Sequence, residues 1–290
     1  MARSGCFDVR QLDACGSAHV VNAAPDIRYA LASLYLQLNE HQRALDLLAE
    51  QPARREMKWY FAVLAFSRTN QLPLPALTAQ ESDCISYLSA VLNPVGKTLL
   101  DLIASYNGFS VIGNAPGSRV FENRQNLCAF YFNDYRLNPR IKGHATVHVV
   151  TPSYRIEQIA SAKVLCITGN SIFHRRSLVW QKFFKQRSYD AIFTLPRAQW
   201  DGLSQTLGNS PSAGLLMLDW LANELQSGAL EKHGLSGIVG GFSAGVPSRN
   251  HTYDMVPASE RHNWAAEAEV KKRCMALLRQ HCNSFTLLDS

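Results

Sequence analysis

The carboxyl-terminal two-thirds of the chain alternates short apolar strands with helical segments, and this pattern constrains the fold most strongly. The strands are predicted at Phe109 to Gly113, Leu127 to Phe132, Ala145 to Val150, Lys163 to Thr168, Asp190 to Leu195 and Gly237 to Phe242. Helices are predicted near residues 153–160, 197–207, 211–227 and 260–280. This order indicates an α/β fold, a mostly parallel sheet with helices on both faces. Ligands of such sheets bind beyond the carboxyl ends of the strands, so we expect the site in the turns after Gly113, Phe132, Thr168 and Phe242.

The amino-terminal part of the chain has a helical pattern instead. Residues 25–52 predict two antiparallel helices that resemble one tetratricopeptide unit, with facing positions Ala30, Leu34, Leu38, Ala44, Leu45 and Leu48. The predicted domains are therefore a helical tetratricopeptide-like region, 1–106, and an α/β domain, 107–290. A single unit cannot bury its own face, so it either covers the rest of the protein or provides a docking site for a protein partner.

Charge and cysteine content narrow the classes of partner and compartment. The 290 residues include 29 basic and 23 acidic residues, a formal net charge of +6 without a dense basic run. This excess favours an anionic ligand, and nucleic acid is not indicated.

Seven cysteines, an odd number without a C-x-x-C pair, predict reduced thiols and no structural zinc. The absence of a signal-like or membrane-spanning apolar stretch predicts a cytoplasmic protein.

The segment from Asn209 to Gly245 joins a leucine-rich helix to a short apolar strand. We expect the helix to begin near Pro211 with Ser210 as its cap, because proline suits a first helical turn. The free backbone amides at such a helix start can bind one phosphate group.

Two glycine-containing turns allow more than one interpretation. In "FSVIGNAPGS", small residues let backbone amides approach a phosphate, and the Asn114 amide can donate to phosphate or ribose. A tight turn without function, or a methyltransferase site for S-adenosylmethionine, are the alternatives. "GFSAG", residues 241–245, formally matches a serine hydrolase motif, but the polar residues after Ser243 do not predict the helix that this motif requires.

Histidines follow the last predicted strand. "HTYD", from His251 to Asp254, lies in a polar segment, and His262 and Glu267 lie at the start of a predicted helix. Imidazole can give or take a proton near neutral pH. The chain has no D-x-D pair, so nucleotide-sugar chemistry here would proceed without a metal. That is feasible for a nucleoside monophosphate leaving group, whose charge histidine, tyrosine and helix amides can offset.

Together these segments resemble the four sialylmotifs of the eukaryotic-type sialyltransferase family, in the family's order over residues 107–280. "FSVIGNAPGS" with "LCAFYFN" is similar to the large motif, and "SPSAGLLMLDWL" through "GIVGGF" is similar to the small motif. "HTYD" resembles the third motif, and His262 and Glu267, with four residues between them, resemble the very small motif.

The resemblance implies a variant of the GT-A type glycosyltransferase fold and an inverting transfer from a CMP-activated acid sugar, without cofactor or metal. It implies His262 as the general base and His251 with Tyr253 as stabilisers of the departing phosphate. It implies that substrate is held by Asn114, Asn133, Ser212, Gly214, Gly241 and Glu267. A soluble bacterial-like member would use CMP-sialic acid or CMP-Kdo and modify a lipopolysaccharide, lipooligosaccharide or capsule precursor.

The chain departs from the family pattern in ways that keep alternatives open. It lacks the cysteine pair that links the large and small motifs of animal members, and Ala213 stands where threonine is usual. The basic residues His174, Arg175, Arg176, Lys182, Lys185 and Arg187 would meet anionic glycolipid at the inner membrane face, although a solvated helix face explains them equally well. A non-catalytic binding module on the same fold is the alternative of a different class.

Overall fold

The computed structural model describes the longer ranges 76–92, 96–113, 126–132, 145–150, 164–168, 189–230, 234–242 and 263–288. It also describes residues 10, 12–14, 27–28, 31–32, 34–35, 40–48, 64, 67–68, 71–72 and 74. The chain divides into two compact units, Met1–Leu92 with Asn170–Arg187, and Asn93–Gly169 with Ser188–Ser290.

Most of the described residues of the first unit are helical. Helix α1 spans His41–Leu48 and helix α2 spans Ala79–Val91. Helix α2 begins with a capping box, in which the Thr78 amide donates to Glu81 Oε2 at 2.8 Å and the Glu81 amide donates to Thr78 Oγ1 at 3.2 Å. Leu34, Ala44 and Leu48 of the predicted helical stripe are buried, whereas Ala30 and Leu38 lie outside the described residues. A tetratricopeptide-like arrangement therefore stays a prediction.

The second unit is built on a seven-stranded parallel sheet. Its strands are β1 Gly108–Ile112, β2 Cys128–Phe132, β3 Ala145–Val150, β4 Val164–Ile167, β5 Ala191–Thr194, β6 Ser236–Gly240 and β7 Ser284–Leu288. Their order across the sheet is β5-β4-β3-β2-β1-β6-β7, and all neighbours pair in parallel. The predicted α/β fold with a parallel sheet is confirmed, with six strands within two residues of their predicted ends. Strand β7 was not predicted.

Four helices of this unit are described: α3 Leu99–Ala104, α4 Arg197–Leu207, α5 Ala213–Gln226 and α6 Trp264–His281. Helix α3 falls within this unit, although the sequence had placed it in the amino-terminal helical region. No helix in the described part of the chain is long and apolar enough to cross a bilayer.

The helices and one face of the sheet share a hydrophobic core. Alternate strand residues such as Phe109, Val111 and Phe130 belong to the same buried cluster as the apolar residues of α4, α5 and α6. This arrangement agrees with right-handed crossovers, because the connections β5 to β6 and β6 to β7 run in the same direction across the sheet.

The opposite face of the sheet is buried as well, for example at Ile112, Ala129 and Tyr131. The connections between β1 and β5 lie largely outside the described residues. Helices on both faces, and a GT-A type variant, therefore stay predictions.

Candidate functional site at the carboxyl edge of the sheet

The sheet has a topological switch point between β1 and β6. These neighbouring strands pair in register, with Ile112 opposite Gly240. From β1 the chain continues through β2 toward one edge of the sheet, whereas from β6 it continues to β7 at the other edge. A crevice opens outside the carboxyl ends of the strands at such a point, and ligands of open α/β sheets bind there. The turns after Gly113 and Phe242, two of the predicted site positions, follow these two strands.

The backbones at the carboxyl ends of β1 and β6 approach each other closely. The Gly113 amide donates to the Gly240 carbonyl at 2.8 Å, which extends the pairing one residue beyond β1. A Cβ atom on Gly113 would lie 2.3 Å from the Gly241 carbonyl oxygen, far inside van der Waals contact. Gly241 itself has a φ of +71°, which favours glycine. The carboxyl ends of β1 and β6 therefore meet through the backbone of Gly113, Gly240 and Gly241, which have no side chains.

An aromatic side chain lies beside the start of α5. The ring of half-buried Phe242 would lie 2.6 Å from a Cβ atom on Gly214, in the first turn of the helix. The same ring packs edge to face against Phe132 at the end of β2, with 6.2 Å between ring centroids. Gly214 therefore lets the first turn of α5 pack directly on the residues that follow β6.

The start of α5 is bound by a carboxylate from the start of α6. The Ser212 amide donates to Glu267 Oε1 at 2.8 Å, and the Ser212 hydroxyl donates to Glu267 Oε2 at 2.7 Å. The hydroxyl oxygen also accepts from the Leu215 amide at 3.3 Å, so Ser212 is the N-cap. The predicted cap, Ser210, is wrong by two residues. We call Ser212 and Glu267 the cap pair.

Electrostatics favour this buried carboxylate. Glu267 is only 6 % exposed and lies in the first turn of α6, so its negative charge is near the positive ends of two helix dipoles. Its hydrogen bonds to Ser212 are charge-assisted and offset the desolvation of the carboxylate. The amides of Ala213 and Gly214 have no acceptor within the described part of the chain, so they can donate to a ligand.

A second polar group links the same helices farther from the sheet edge. Asp219 of α5, 5 % exposed, accepts hydrogen bonds from Gln199 of α4 and from Arg273 of α6, the latter at 2.9 Å. Asn223 donates to it at 3.3 Å, and the Cys274 thiol lies 3.7 Å away. We call Gln199, Asp219, Asn223, Arg273 and Cys274 the Asp219 cluster.

The structure describes four of the nine predicted site residues. It pairs Ser212 with Glu267, and it connects Gly214 and Gly241 through Phe242, which packs against the first and follows the second. The others, Asn114, Asn133, His251, Tyr253 and His262, lie outside the described residues, as does Ser243 of the hydrolase-like motif. The roles of these residues stay predictions.

Sequence reasoning missed Phe132, Phe242 and the Asp219 cluster. The signal for the cluster was present, since Asp219 is a lone acidic residue within the apolar run "LLMLDWL". A charge in such a run requires a buried partner. The partner Arg273 is 54 residues away, and no local pattern identifies it.

No family model, no curated protein and no solved structure matches the chain. Among the described residues, no group of three or more histidine, cysteine, aspartate or glutamate side chains could hold a metal ion. The functional interpretation therefore depends on the sequence motifs and the geometry of the sheet edge.

Proposed function

We propose that the protein is an inverting, metal-independent glycosyltransferase that moves a 2-keto acid sugar from its CMP donor to a saccharide acceptor. The observation that supports this most directly is the cap pair. Ser212 belongs to the segment that resembles the small sialylmotif, and Glu267 to the segment that resembles the very small one. Two segments that the resemblance selects thus meet beside the switch point, where ligands of such sheets bind.

The geometry suggests a division of roles at the start of α5. Both carboxylate oxygens of Glu267 accept from Ser212, so Glu267 orients the cap. The amides of Ala213 and Gly214 would then face the phosphate of CMP at the positive end of the helix.

The remaining roles come from the resemblance. His262 would remove the proton from the acceptor hydroxyl, and His251 with Tyr253 would stabilise the CMP phosphate as it leaves. Asn114 and Asn133 would hold the nucleotide. The bond between the sugar and the phosphate breaks with cationic character on a carbon that carries a carboxylate, so the protein must supply a base and phosphate stabilisation.

Calorimetry with CMP separates the enzyme from a non-catalytic module. We expect one CMP per chain to bind equally well with and without a chelator, and S-adenosylmethionine not to bind. A folded protein that binds no CMP would favour the module, whose partner would dock on the helical region. Binding of S-adenosylmethionine instead would favour a methyltransferase.

The base assignment has its own test in His262→Ala. We expect this variant to bind CMP almost normally and to have no transferase activity, because the base acts on the acceptor. His251→Ala should lower the rate by about 10² to 10³, as removal of one charge-stabilising donor does elsewhere. Full turnover by His262→Ala, or an unchanged rate in His251→Ala, would show that the assigned role is wrong.

A donor screen addresses the substrate. The protein would be incubated with CMP-sialic acid or CMP-Kdo and a cell-envelope extract, and CMP release would be followed. Lipopolysaccharide, lipooligosaccharide or capsule precursors at the inner face of the cytoplasmic membrane are the acceptors we propose. The basic residues between His174 and Arg187 that would contact such a surface lie outside the described residues.

A further inference from the structure

The Asp219 cluster joins three helices through one buried carboxylate. Gln199 of α4 and Arg273 of α6 both donate to Asp219 of α5. The Arg273 side chain is 56 % exposed whereas that of Asp219 is 6 % exposed, so the guanidinium extends inward from solvent to a buried carboxylate. Asp219 does not lie at the sheet edge, and the proposed chemistry leaves this cluster without a role.

The spacing of the cluster matches that of the cap pair. Asp219 follows Ser212 by seven residues, about 10 Å along a helix, and Arg273 follows Glu267 by six residues, about 9 Å. Similar spacing on the two helices means that α5 and α6 run parallel and that both polar contacts form at the same axial register. A shift of α6 by one turn, about 5 Å, would break both contacts together.

We propose that Asp219 and Arg273 are positioning residues that set the axial register of α5 against α6 and thereby hold Ser212 on Glu267. Apolar contacts between the helices tolerate small axial shifts. A charge-assisted hydrogen bond to a buried carboxylate tolerates a shift of only a few tenths of an ångström. Gln199 extends the same restraint to α4. The consequence for CMP binding depends on the proposed function, but the effect on the cap pair does not.

Hydrogen exchange measures this restraint directly. The Ser212 and Leu215 amides report the cap, and the Phe130 amide in the centre of the sheet reports global unfolding. In Arg273→Ala we expect the exchange rates of the Ser212 and Leu215 amides to increase by a factor about ten times larger than the increase at the Phe130 amide. Such a factor lies within the range of coupling between residues in contact. Arg273→Lys should recover part of the protection, because lysine keeps the charge without the planar fork.

Lys272→Ala is the matched control. Lys272 precedes Arg273 on α6 and pairs with exposed Glu269 at 2.7 Å, so its removal also deletes one basic residue and one ion pair. It should leave exchange at Ser212 unchanged. An equal rise at Ser212 and Phe130 in Arg273→Ala, or no rise at Ser212, would overturn the proposal by showing that Arg273 contributes only to global stability or not at all.

CMP calorimetry on the same variants separates this proposal from the proposed function. If the wild-type protein binds CMP, Arg273→Ala should bind it more weakly and Lys272→Ala should bind it normally. A wild-type protein that binds no CMP would refute the proposed function, while hydrogen exchange would still decide the positioning role. Normal CMP affinity in Arg273→Ala together with unchanged Ser212 protection would refute the positioning role alone.

Discussion

Glu267 combines a charge, deep burial and two acceptor contacts on one residue, Ser212. Glutamine at this position would keep an oxygen acceptor for the Ser212 amide but would place an amide donor against the Ser212 hydroxyl, which already accepts from the Leu215 amide. We expect Glu267→Gln to lower the free energy of unfolding by about 1 to 3 kcal/mol, the usual effect of leaving a buried polar group unsatisfied. Urea unfolding measures this loss.

Glu269→Gln is the matched control for that substitution. The Glu269 side chain is 72 % exposed on the same helix, so the change should remain within about 0.5 kcal/mol. Equal unfolding midpoints for the two variants would contradict the importance of the cap pair.

Gly214 tests the packing of Phe242 on the first turn of α5. Alanine is favoured over glycine within helices by about 1 kcal/mol, yet a Cβ atom here would lie 2.6 Å from the Phe242 ring. The ring would have to move from its contact with Phe132. We expect Gly214→Ala to destabilise the protein and to weaken CMP binding.

Gly202 is the matched glycine, because it lies in helix α4 and a Cβ atom added there would have no neighbouring atom within 4 Å. Gly202→Ala should stabilise the protein by about 0.5 to 1 kcal/mol. Thermal unfolding of both variants supplies the comparison. A similar gain in stability for Gly214→Ala would mean that the ring adjusts without loss.

At the scale of the elements, the pairing of β1 with β6 forms the sheet edge of the candidate site. A Cβ atom on Gly113 would meet the Gly241 carbonyl oxygen at 2.3 Å and its carbon at 2.9 Å, and backbone cannot rotate away as a side chain can. Gly113→Ala should therefore separate the two strand ends and cost about 1 to 3 kcal/mol or more. Denaturant unfolding and CMP calorimetry both report this change. Wild-type values in both would show that the edge is more adaptable than the structure indicates.

The strands and helices also show how much of the fold can be predicted from the sequence. Apolar runs between turn residues located six strands, because burial on both faces leaves a strong local pattern. Strand β7 escaped prediction because its partly exposed residues, "SFTLL", follow directly after α6 without such a run. The start of α5 was misplaced because Ser210 and Ser212 are both good caps. The choice between them depends on Glu267, 55 residues away, a tertiary contact that no local pattern contains.

The candidate site was predictable only in part for the same reason. The resemblance selected Ser212, Gly214, Gly241 and Glu267, and the structure brings these residues together around Phe242 and the cap pair. Spacing along the chain could not show that Glu267 binds Ser212 instead of facing solvent. Nor could it show that Asp219 has a partner on α6.

For the molecule as a whole, the buried thiols make stability depend on pH in alkali. The cysteines Cys128, Cys166, Cys274 and Cys282 are buried thiols. Burial raises the pKa of Cys128 from 9.0 to about 12 and raises that of Cys166 further still. Above pH 9 the unfolded chain loses thiol protons that the folded protein retains, so the free energy of unfolding falls as pH rises and is unaffected by these thiols well below pH 9.

Each fully buried thiol should contribute a slope approaching about 1.4 kcal/mol per pH unit above its unfolded pKa. Urea unfolding over about three pH units, from pH 7.5 to 10.5, gives the total slope of the free energy of unfolding against pH. Cys166→Ala should be less stable throughout because it leaves a cavity, but its stability should fall less steeply above pH 9 by one thiol's contribution. Parallel curves for the variant and the wild-type protein would show that Cys166 ionises alike in both states and would contradict this prediction.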